Sequence, residues 1–75
     1  MNLAFVLINT DMGADAEVAD ALREVEEVKE VYGVYGVYDI VVRIEAETLQ
    51  QLKDAISNKI RTLENVRSTL TMIVV

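Results

Sequence analysis

The chain has 75 residues, 52% of them hydrophobic, with 13 acidic against 7 basic side chains and a net charge of −6. That size fits one small domain, residues 1–75, and that apolar content excludes a disordered segment. The scattered Lys and Arg argue against direct nucleic-acid binding, and the absence of histidine and cysteine excludes His-based catalysis, His- or thiolate-ligated metals and disulfides.

Asn2–Thr10 (NLAFVLINT) is short, apolar and bounded by polar residues, and reads as a buried strand. Asp11–Gly13 (DMG) is turn chemistry. From Ala14 the period changes. Val18, Leu22 and Val25 fall at i, i+4 and i+7 with Ala14 and Ala21 beside them, one helical stripe. Asp15 and Glu17 sit in the first turn, where the helix dipole favours negative charge. Glu17, Asp20, Glu24 and Glu27 form an acidic row on the same helix, read as its solvated side.

Two strands follow, Val28–Tyr35 and Val37–Glu45. Across their junction runs VYGVYGVYDIV, a repeat of three that matches neither strand nor helix. Gly36, between the two β runs, is the natural place for a positive φ in a tight hairpin. Gly33 marks a bulge or a close backbone approach. Thr48 with Gln51 three residues on is a capping-box pattern. It opens a second helix whose stripe is Leu49, Leu52, Ile56, Ile60 and Leu63. Val66–Val75 is the last strand.

The order β-α-β-β-α-β predicts an α+β, ferredoxin-like fold: a four-stranded antiparallel sheet, strand order 4-1-3-2, with two helices on one face. No apolar run reaches the roughly 18 residues of a membrane helix, and no signal-peptide pattern opens the chain. We expect a cytoplasmic protein that needs no membrane, no metal and no cofactor.

The strands are apolar on both sides. Leu3, Phe5 and Leu7 point one way and Ala4, Val6 and Ile8 the other. Ile40, Val42 and Ile44 oppose Asp39, Val41 and Arg43, while Leu70, Met72 and Val74 oppose Thr69, Thr71, Ile73 and Val75. A sheet with one wet face should alternate cleanly. Two helices cover one face, so the other needs a partner, and a domain of this size with half its sheet bare would be marginal. The expectation is a homodimer packed sheet face to sheet face, a dimeric α+β barrel.

Asp39 opens an apolar strand on the face that the second copy should cover. Its carboxylate there needs donors: turn amides, a partner's Thr, or the ammonium of a small ligand. Thr69 and Thr71 bring hydroxyls to one face of the last strand. A free amino acid would suit these groups, its ammonium on Asp39 and its carboxylate on Thr hydroxyls and amides near Gly36. No convergent set of carboxylates, Tyr or Lys suggests catalytic residues.

Ala4-Phe5-Val6, Gly36-Val37-Tyr38-Asp39, and Val66 with Thr69 and Thr71 fall in order in this frame. Together they resemble the effector-binding (RAM) domain of the Lrp/AsnC transcriptional regulators over nearly the whole chain. The resemblance implies dimers through the sheet face, assembly of dimers into rings, and a small effector, typically an amino acid, between dimers. Tyr35, Gly36, Tyr38, Asp39, Thr69 and Thr71 would be its effector-binding residues. Tyr35 stands where the family often has a small hydroxyl residue, and narrows the cleft. Beginning at its first strand, the chain is similar to the stand-alone form without the helix-turn-helix. It would then modulate full-length Lrp/AsnC regulators by mixed assembly. The alternative is another dimeric ferredoxin-like module, an ACT-type regulatory domain or a small dimeric α+β barrel enzyme.

Overall fold

The computed structural model describes all 75 residues, Met1–Val75. The elements are β1 (Asn2–Thr10), α1 (Asp15–Arg23), β2 (Val28–Gly33), β3 (Ile40–Ala46), α2 (Leu49–Ala55) and β4 (Val66–Ile73). α2 runs on into a π-helical turn, Ile56–Ile60. The four antiparallel strands lie in the order β2-β3-β1-β4, the ferredoxin-like order expected.

Both helices lie on one face. Ala4, Val6 and Ile8 of β1 and Ile40, Val42 and Ile44 of β3 form an eleven-residue core with Val18 and Leu22 of α1 and with Leu52, Ile56 and Ile60. The inward residues Leu52, Ile56 and Ile60 are four apart, a spacing that drifts by about 40° per step in a regular α-helix. The π turn, closed by the Arg61 N–H on the Ile56 carbonyl at 3.0 Å, has more residues per turn and keeps Ile60 on the core side. Leu49, expected on this stripe, is 43% exposed. α1 ends at Arg23, so Val25 lies in the turn beyond the helix and is only half-buried.

The open face is a grid fixed by the strand register. One row reads Tyr32, Val41, Leu7, Leu70, and the next Glu30, Arg43, Phe5, Met72. Glu45 and Leu3 begin a third. The β1 and β4 half is apolar, and the β2 and β3 half carries the charges. Leu70 and Met72 are nearly half exposed.

The repeat resolves into three different uses of one tripeptide. Val31-Tyr32-Gly33 ends β2, and the six residues Val34–Asp39 form the connection. That connection is longer than the tight hairpin expected. Gly36 does hold a positive φ of 151°, which favours glycine. Gly33 sits in regular register opposite Ile40, and the bulge lies earlier, where the pairing shifts between Val28 and Glu30. The extra residue there turns both Val28 and Val31 toward the core.

Two outcomes test this packing. Ile56→Ala should lower stability by about 2–5 kcal/mol, as for a buried aliphatic side chain, and Leu49→Ala by well under that, in parallel urea titrations. Lys59 donates to both carboxylate oxygens of Glu27 at 3.0 and 3.1 Å and holds its pKa below the usual 4.5. A depressed folded pKa gives stability that is complete above the unfolded value and is lost as pH falls through the folded one. Lys59→Met should therefore flatten the acid limb of the stability–pH curve below about pH 4.5 and leave its shape at neutral pH unchanged.

Candidate effector site

Thr10 is the last residue of β1 on the core side, and is buried. Continuing the β1–β3 register would place it opposite Tyr38, but β3 begins only at Ile40. Asp39 fills the gap. Its N–H donates to the Ile8 carbonyl at 2.9 Å, and its Oδ2 accepts from the Thr10 N–H at 2.9 Å and the Thr10 hydroxyl at 3.3 Å. A side-chain carboxylate thus stands in for the next ladder carbonyl, and a buried N–H without an acceptor would be costly. The donors that Asp39 needed are a strand-end amide and hydroxyl of its own chain. Both bonds fall on Oδ2.

Around this clip lies an open cleft of about 680 Å³, lined among others by Thr10, Asp11, Asp15, Val37, Asp39 and Arg67. β4 is bulged here, its register shifting between Asn9 and Thr10 so that Arg67 is the extra residue. Bulges re-aim side chains at strand ends, and the Arg67 guanidinium comes to 4.0 Å from Asp11. Asn65, just before β4, takes a positive φ of 70°, and its carbonyl accepts from the Asp11 N–H at 2.8 Å. A smaller cleft on the hairpin side is shared by Asp15, Gly33, Val34, Tyr35 and Asp39.

The six residues singled out from sequence do not converge within one chain. Asp39 and Tyr35 share the hairpin cleft. Gly36 and Tyr38 lie on the same connection without lining either cleft. Tyr35 is fully exposed. Thr69 and Thr71 pair with Ile8 and Val6, so they stand on the helix-side face of β4, with β1 between them and β3. Thr69 lines a separate shallow cleft with Arg61 and Arg67, and Thr71 is exposed. Sequence reasoning missed Thr10 and Arg67. A polar residue at the inward parity of Ala4, Val6 and Ile8 was the available signal for Thr10; nothing in the pattern announced the bulge at Arg67.

Sheet order, covered face and end cleft define a ferredoxin-like domain with a ligand-sized recess beside its hairpin. A family model described as the Lrp/AsnC ligand binding domain matches residues 3–75, and the chain belongs to that family. The description is of a ligand-binding domain, not of an ACT-type domain or an enzyme. FFRP-DM1 superposes with a TM-score of 0.96 at 43% identity, both chains covered in full. A hypothetical protein from Pyrococcus horikoshii gives 0.94 at 43% identity, covering 100% of this chain and 90% of that one. A feast or famine regulatory protein from M. tuberculosis, solved in complex with L-methionine, gives 0.81 at 31% identity; the match spans 99% of this chain and 50% of that protein. A search of curated proteins finds no match.

Removing the clip should be felt in stability. Asp39→Ala should cost about 1.5–3 kcal/mol, the range for hydrogen bonds to a charged group. Asp39→Asn should cost less, because its amide oxygen still accepts from Thr10. Urea unfolding of both variants beside the wild type measures the difference.

Proposed function

We propose that this chain is a stand-alone effector-sensing module. It pairs through its open sheet face, assembles further into rings, and binds an amino acid at clefts between subunits. The observation that carries this reading is the split of the candidate residues: Tyr35 and Asp39 at the hairpin, Thr69 and Thr71 across β1 on β4. A second subunit is the simplest means of bringing both sets to one ligand. The L-methionine complex of the M. tuberculosis relative supports an amino-acid effector.

In this reading Asp39 has two tasks. Oδ2 secures the strand end and Oδ1 receives the effector's ammonium, while Tyr38 and Gly36 shape the cleft wall and the Thr hydroxyls meet the carboxylate. Mixed assembly with a full-length Lrp/AsnC regulator in the cytoplasm would carry the signal onward, because the same sheet face serves either partner.

Native mass spectrometry of the chain with a mixture of the twenty amino acids tests the proposal. Even-numbered assemblies that gain the mass of one amino acid are expected; a bare monomer with no adduct would overturn it. Asp39→Asn should stay folded and bind the retained amino acid more weakly by calorimetry, and unchanged affinity would remove Asp39 from the site.

A further inference from the structure

At the centre of the open face, on the strand next to Phe5, lies a charged cluster. Arg43 Nε meets Glu30 Oε1 at 2.6 Å, and Arg43 Nη1 pairs with Glu45. The Arg43 guanidinium, and after it the Tyr32 hydroxyl, hold the Glu30 carboxyl below its usual range. One guanidinium serves two carboxylates, which leaves a formal charge of about −1 with surplus acceptor lone pairs. Arg43 in turn has five N–H donors, and the two recorded contacts leave some of them spare. Spare donors and surplus acceptors coexist in one patch.

We propose that the Glu30–Arg43–Glu45 cluster is the selectivity element of the sheet-face interface, admitting a second copy of this chain and rejecting apolar sheets without a matching charge set. The inference rests on the dimer reading above. An aliphatic partner surface would strip water from all three ions and return nothing, a desolvation cost that ion pairs recover only with further hydrogen bonds. A second copy brings the same mixed set, so the spare N–H groups of each guanidinium can donate to the other copy's carboxylates. The apolar half of the face, Leu7, Phe5 and Leu70 among its members, supplies attraction that is indifferent to identity; the cluster supplies the discrimination.

Two full-length variants with opposite charge test this. Arg43→Glu presents three carboxylates, and the double variant Glu30→Lys/Glu45→Lys presents three cations. Circular dichroism checks that both fold. Each alone should self-associate about tenfold or more weakly than wild type, and a mixture should give heterodimers above their statistical share by native mass spectrometry. Should Arg43→Glu not fold, Arg43→Gln, which leaves both carboxylates without their cation, should weaken self-association in the same direction. Variants that dimerise like wild type, or a mixture at the statistical share, would overturn the inference while leaving the dimer standing. A monomeric wild type would instead overturn the dimer reading itself.

Discussion

A sheet has two faces, and this chain has two short helices. Both are spent on one side, where Ala4, Val6, Ile8, Val42 and Ile44 are sealed from water. The other side offers water a nearly continuous field of Leu3, Phe5, Leu7, Val41, Leu70 and Met72. Large contiguous apolar patches are the kind of surface through which proteins bind partners. Apolar residues on both sides explain why the strands alternate so poorly in sequence.

The candidate site depends on that constraint through the strand ends. β1 runs two residues beyond its last pair with β3, Ile8 with Ile40, and the Asp39 carboxylate takes the orphaned Thr10 N–H. That bond fixes the root of a six-residue connection carrying Tyr35, Gly36 and Tyr38. On the opposite flank, the bulge at Arg67 brings a cation to the same end of the sheet, facing Asp11. Side chains from β1, from β4, from the β2–β3 connection and from the start of α1 thus meet where the sheet stops. There the backbone is least committed to ladder hydrogen bonds and most free to bind something else.

The architecture was legible in the sequence because it follows from periodicity. Inward positions Ala4, Val6, Ile8 and Ile40, Val42, Ile44 came out on the expected parity, and Thr48 makes the capping box with Gln51. The errors fall where a strict period fails. Leu49 fits the helical stripe by spacing but lies in the first turn of α2, short of the core. The bulge near Lys29 shifts β2 by one residue, and Gly33, the glycine that seemed to announce it, is in register. Asp39 was placed by extending strand parity one residue past the strand. Its true partner, the Thr10 backbone amide 29 residues away in sequence, leaves no periodic trace. Thr69 and Thr71 share one face of β4, as their spacing implied, but their distance from Asp39 depends on β1 lying between them, a tertiary fact.

The central claim is that the open face is covered by a second copy, and the cysteine-free sequence allows it to be read with one introduced thiol. Leu7→Cys places that thiol in the middle of the face, and Ser57→Cys places one on the exposed side of the second helical segment. Under reducing conditions at micromolar concentration, the thiol at position 7 should react with a soluble alkylating reagent far more slowly than the thiol at position 57, with the difference shrinking on dilution. Equal rates at every concentration would contradict the account.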